Sequence, residues 1–140
     1  EAHISKLSSE THGKDYYCAR YVSVECLVRE SIMCAPGPRK LQLVESAILE
    51  SGPLLEFYNE KDYPTFRMVV MAQLGNALRE KAMCVGGDER IALLHQSLDY
   101  LLAAESYFIT IPYAKISMQE HEEDIRKTHD EITKFESSSL

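Results

Sequence analysis

Apolar residues along this chain return at three- and four-residue spacing in long runs, and the runs are broken by proline and glycine clusters. The most legible run follows Tyr63-Pro64: Thr65 to Met83 is a stretch of good helix formers, and Pro64 fits a first helical turn, where no amide donor is needed. Gly86-Gly87 breaks it, and Asp88 supplies an oxygen for capping a second helix over Glu89–Phe108. A helix, a short glycine break and a second helix predict a helical hairpin.

The same plan reads upstream. Asp15–Cys34 carries Tyr17, Val24, Leu27, Val28 and Ser31 at helical spacing, while Cys18, Val22 and Cys26 broaden the stripe, so two faces are expected to be covered. Ala35-Pro36-Gly37-Pro38 stops this helix. Arg39–Tyr58 follows, with Leu41, Val44, Ile48, Leu55 and Tyr58 near one stripe. Gly52-Pro53 interrupts it and predicts a kink or short break, because an interior proline costs roughly 3 kcal/mol through a lost donor and a clash. Ahead of these, residues 1–12 read as the tail of an earlier second helix, closed by a glycine cap signal at Gly13, so the sequence looks cut from a longer protein. The last helix, 112–136, has a thin stripe of Ile116, Ile125, Ile132 and Phe135 with charge elsewhere, as a capping helix needs for solubility.

The two hairpins repeat. Lys61-Asp62-Tyr63 repeats Lys14-Asp15-Tyr16, and Arg67, Val69 and Leu74 fall on Arg20, Val22 and Leu27 at the same shift of 47. At a shift of 50, Ile91, Leu94, Ser97, Leu98 and Phe108 fall on Leu41, Val44, Ala47, Ile48 and Tyr58. The chain is therefore expected to be one all-α domain over 1–140, with repeat one at 15–59 and repeat two at 63–109, stacked as tandem antiparallel hairpins.

Composition narrows the function classes. With 140 residues and 45% apolar content, a core can form without staples. A net charge of −7 disfavours nucleic acid as a partner, and no apolar run approaches the length of a membrane span. Cys18, Cys26, Cys34 and Cys84 have neither metal-site nor redox-motif spacing, so they are expected to be small core residues in a reducing compartment, cytoplasmic or nuclear.

Leu74-Gly75-Asn76-Ala77-Leu78, followed by Asp88-Glu89-Arg90-Ile91-Ala92-Leu93-Leu94-His95-Gln96-Ser97-Leu98, resembles the tetratricopeptide repeat. In that family a Leu-Gly pair lies inside the first helix where the second crosses it, which here sets Gly75 against Ser97. The longer period and the loop His12-Gly13-Lys14-Asp15-Tyr16 look more like the extended repeats of kinesin light chains, or the carboxy-terminal helical domain of SET and MYND lysine methyltransferases. Val28 stands where repeat one would carry the glycine, and Arg90 where a small residue is usual. The resemblance implies a right-handed array whose first helices line a concave groove. Its groove positions map to Arg29 and Ile32 in repeat one and Asn76 and Arg79 in repeat two, and less directly to Arg126 and His129. Partly exposed Arg29, Asn76 and Arg79 would receive an acidic or carboxylate-bearing peptide. The competing expectation pairs Arg29 and Arg79 with neighbouring Glu25 and Glu80.

No nucleophile elbow, phosphate loop or catalytic triad order is present, so no enzyme activity and no cofactor are expected. His121-Glu122-Glu123-Asp124 and His129 read as a solvated charged face, since histidines eight apart do not share a zinc ion on one helix. The leading expectation is a non-catalytic module that binds a protein or peptide. The alternatives are an accessory helical domain of a larger enzyme and a self-associating bundle.

Overall fold

The computed structural model describes residues 13–111 and 115–138. The expected tail of an earlier helix at 1–12 lies outside them, as do Pro112-Tyr113 and the side chain of Ile116. The described residues form five helices and no strand: α1 (Gly13–Met33), α2 (Pro38–Phe57), α3 (Pro64–Ala82), α4 (Gly87–Phe108) and α5 (Lys115–Ser138). Prolines at the first turns of α2 and α3 start those helices at no hydrogen-bonding cost.

Consecutive helices pack as hairpins, α1 with α2 and α3 with α4, and α2 joins the two hairpins by packing on α3. The first helices also lie side by side, α1 against α3 and α3 against α5, whereas the backbones of α2 and α4 stand apart among the described residues. This is the packing of a helical array. Helix α3 consequently packs against all four other helices, and every residue from Leu74 to Glu80 is buried.

Two core clusters run through the array. Val24, Val28, Ala47, Leu54, Tyr58, Val70 and Ala77 join α1, α2 and α3. Leu74, Leu78, Ala82, Leu93, Leu94 and Ile132 join α3, α4 and α5, and Ile48 and Leu55 pack against both clusters. Fully burying each such aliphatic side chain contributes roughly 1.5–3 kcal/mol. Aromatic rings fasten the joint between the hairpins: Phe57 stacks on Tyr17 at 4.1 Å and on Tyr63 at 5.4 Å, and Tyr58 stacks on Phe66 at 5.3 Å.

Several local expectations are corrected. Gly13 is the first residue of α1. Asp88 sits in the first turn of α4 and makes no side-chain cap; Gly86 is the cap residue, and Gly87 follows at φ 60°, a left-handed conformation that favours glycine. Helix α2 continues through Pro53 without a break. Gly52 and Pro53 are exposed, and the carbonyl that loses its donor belongs to the exposed Leu49, where water can serve it. Cys18 and Cys26 are exposed and Cys34 and Cys84 half-buried, so the thiols are not core residues, and the second face of α1 faces away from α2 and α3.

Candidate functional site

The glycine crossing expected from sequence is present. A Cβ added to Gly75 would lie 2.9 Å from Leu101 Cγ and 3.1 Å from the Ser97 carbonyl oxygen. Here α3 and α4 approach as closely as a hydrogen side chain permits. In the first hairpin, the positions 47 and 50 residues upstream exchange the sizes, with Val28 for Gly75 and Ser51 for Leu101, and all four residues are buried.

A second equivalence joins Lys40 and Arg90, which stand 50 apart at the start of the two second helices. Lys40 Nζ donates to the carbonyls of Ser31 at 2.9 Å and Cys34 at 3.3 Å, closing the end of α1. Arg90 Nε donates to those of Ala82 at 2.9 Å and Val85 at 2.7 Å, closing the end of α3. A cation over the last carbonyls of a helix satisfies orphan acceptors and opposes the negative end of its dipole. Arg90 therefore occupies its position for a capping reason.

From Lys40 a buried polar chain crosses the array. Lys40 Nζ meets Glu80 Oε1 at 2.5 Å, and Arg79 Nε donates to Glu80 Oε2 at 3.0 Å. Arg79 Nη1 donates to Asn76 Oδ1 at 2.8 Å, and Asn76 Nδ2 donates to Asp124 Oδ2 at 3.1 Å. Two cations and two carboxylates thus connect α2, α3 and α5, with Arg79 Nη2 left without a hydrogen-bond partner among the described residues.

This chain decides the predicted binding residues. Asn76 and Arg79 are buried at 8% and 2% exposure, so they line no open groove. The physical reason is α5: it lies on α3, and its Asp124 covers the two positions that would otherwise face solvent. Arg29 is exposed and pairs with Glu25 at 3.5 Å, and Ile32 is exposed beside it. The pairing of Arg79 with Glu80 follows the competing expectation. Arg126 is exposed and held between Glu123 and Asp130, which keeps the Glu123 carboxyl below its ordinary range, and His129 is exposed.

His121 departs from the solvated face assigned to it. It is buried, shares a 2.6 Å hydrogen bond with the Leu101 carbonyl, and meets Phe108 edge-on at 5.6 Å. The ring therefore locks α5 onto α4. Tyr21, donating to Glu25 from the α1–α3 seam, has its phenol pushed up to about 12 by burial first and the Glu25 carboxylate second. Among the described residues no group of three histidine, cysteine or acidic side chains is placed to hold a metal ion.

An open groove lies elsewhere. Because the backbones of α2 and α4 stand apart, a groove of about 500 Å³ remains between them, lined by Ile48 of α2, Met71, Leu74 and Leu78 of α3, and Gln96, Asp99 and Tyr100 of α4. Its floor is aliphatic. Gln96 and Asp99 are exposed, and Asp99 is the charged residue of the lining. Sequence reasoning looked for a binding surface on the first helices and did not foresee this groove, since a gap between second helices leaves no mark in a hydrophobic pattern. The fold and groove define a helical-array protein. No protein-family model matches the chain, and neither does a curated protein or a solved structure. No helix among the described residues is long and apolar enough to cross a membrane.

Proposed function

We propose that this protein is a non-catalytic helical-repeat module that binds an amphipathic helix of a partner protein in the groove between α2 and α4. The observation that carries the reading is an aliphatic floor of half-buried Met71 with the nearly buried Leu74 and Leu78, lying between two second helices whose backbones stand apart. A volume of about 500 Å³ is within the ordinary range of ligand clefts and takes a few large side chains. Helices dock in such grooves through apolar anchors at positions i, i+3 or i+4 and i+7. Asp99 at the rim and the net charge of −7 favour a partner with lysine or arginine beside its anchors. The acidic ligand expected from sequence required Asn76 and Arg79 to be open, and both are committed to Glu80 and Asp124.

Selection of helical peptides from a randomised display library on the immobilised protein tests this. The expected binders carry an apolar i, i+3/i+4, i+7 stripe flanked by basic residues, and their affinity falls about tenfold on Asp99→Lys, the scale of losing one charge pair and gaining a repulsion. Binders without a basic flank, or binders indifferent to Asp99→Lys and to Met71→Glu alike, would remove the groove from the account.

A further inference from the structure

Helix α1 packs on α2 and α3 through Val24, Val28 and Ser31, and its opposite side carries Asp15, Cys18, Val22, Cys26 and Arg29, all exposed. Val22 is 49% exposed and the Arg29 side chain 76%. The spacings between these five residues are three, four, four and three. At 3.6 residues per turn they fall within an arc of about 80°, so they form one narrow stripe. Its middle is small and apolar, and its ends carry opposite charges.

The stripe is symmetric about Val22. Cys18 and Cys26 lie four residues to either side of it, and Asp15 and Arg29 lie seven to either side. A two-fold axis through Val22 would set a second copy of α1 antiparallel to the first, with Val22 on Val22, Cys18 beside Cys26, and Asp15 opposite Arg29 at both ends. A parallel copy would instead stack Asp15 on Asp15 and Arg29 on Arg29. The charges therefore select one orientation, and an isologous contact needs a patch of this self-complementary kind. The row Cys18, Val22, Cys26 is an i, i+4, i+8 ridge of modest side chains, which two helices interdigitate at close approach.

We infer that the outer face of α1 is the contact surface for a second copy of this chain, in an antiparallel α1–α1 pair centred on Val22. One helix face per copy places the interface at the small end of specific contacts, so the dimer is reversible and forms at roughly tens of micromolar. The surface pair of Arg29 with Glu25 is exposed and weak, and yields to the intermolecular partner at little cost. This inference does not rest on the groove between α2 and α4, which lies on other helices.

Analytical ultracentrifugation of the full chain, combined with a short thiol-to-thiol cross-linker, tests the pairing. Cys18 and Cys26 fall in different tryptic peptides, Asp15–Arg20 and Tyr21–Arg29, so the linked dimer band reports orientation. The expected results are a concentration-dependent dimer, its loss on Val22→Glu, and a Cys18-to-Cys26 link in the dimer band. Asp15→Arg should weaken dimerisation about tenfold, and Asp15→Arg/Arg29→Asp should restore it. Circular dichroism of each variant separates lost pairing from lost folding, and the double variant keeps the test open if Val22→Glu fails to fold. A chain that stays monomeric at about 0.5 mM overturns the inference. So does a Cys18-to-Cys18 link, or a double variant no better than the single one.

Discussion

Gly75→Ala is the smallest perturbation that reads the close crossing of α3 and α4. In a solvent-facing helix the change would add roughly 1 kcal/mol of stability through helix propensity. At Gly75 the new methyl carbon would sit 2.9 Å from Leu101 Cγ and 3.1 Å from the Ser97 carbonyl oxygen, both inside van der Waals contact. The Leu101 side chain can turn, but it is fully buried and has nowhere open to go; the Ser97 carbonyl is backbone and cannot move alone. Overpacking of this kind costs about 1–3 kcal/mol, so the net change is a loss of up to about 2 kcal/mol, and Gly75→Val loses more. Leu101→Ala alone loses roughly 2–5 kcal/mol through its cavity. The double variant should lose less than the sum by about 1–2 kcal/mol, because the alanine methyl enters space the leucine vacates. Gly75→Val/Leu101→Ser, which copies the Val28 and Ser51 of the first hairpin, should behave the same way. Urea denaturation with constant m measures all of these. A Gly75→Ala protein as stable as the wild type or more so, together with additive losses in the cycle, would refute the crossing.

Lys40→Met should lose about 1–3 kcal/mol in chemical denaturation, because Glu80 Oε1 loses its donor while Arg79 still holds Oε2, and the end of α1 loses its cap. Arg90→Ala should lose about 1–2 kcal/mol with hydrogen exchange accelerated at the end of α3, since two carbonyls lose their donor. Tyr21 holds its proton more tightly folded, to about 12 against 10 unfolded, so its contribution is whole below pH 10 and lost as pH rises through 12. Stability measured between pH 10 and 12 should fall, and Tyr21→Phe should flatten that fall by up to about 2 kcal/mol.

The helices and their order were legible because each carries an apolar stripe with a proline or glycine break at its end, and these are local signals. Gly75 was legible through the Leu74-Gly75 pair that resembles the tetratricopeptide repeat, in which that glycine marks a helix crossing. The buried network was not, since Asn76 and Arg79 look alike to a sequence pattern whether they face water or a neighbouring helix. Only the placement of α5, and of Asp124 on it, decides that. His121 was read from its acidic neighbours, although a helix with neighbours on one side buries one residue in three or four whatever surrounds it in sequence. One signal was available: Lys40 and Arg90 are both cations in the first turns of the two second helices, and matched charge there points to capping of the preceding helix. The exposed thiols were misread because Cys18, Val22 and Cys26 make a second apolar stripe on α1, which a two-sided packing rule assigns to the core.

The most direct measurement of the binding account is a methyl chemical-shift titration of the labelled protein with a selected basic amphipathic peptide. Binding in the groove predicts shifts concentrated at Ile48, Met71, Leu74 and Leu78, the methyl-bearing residues of its walls and floor, with Ile32 on α1 unmoved. Shifts concentrated at Ile32 and Val22, with Met71 and Leu74 silent, would contradict it and return the binding surface to the first helices.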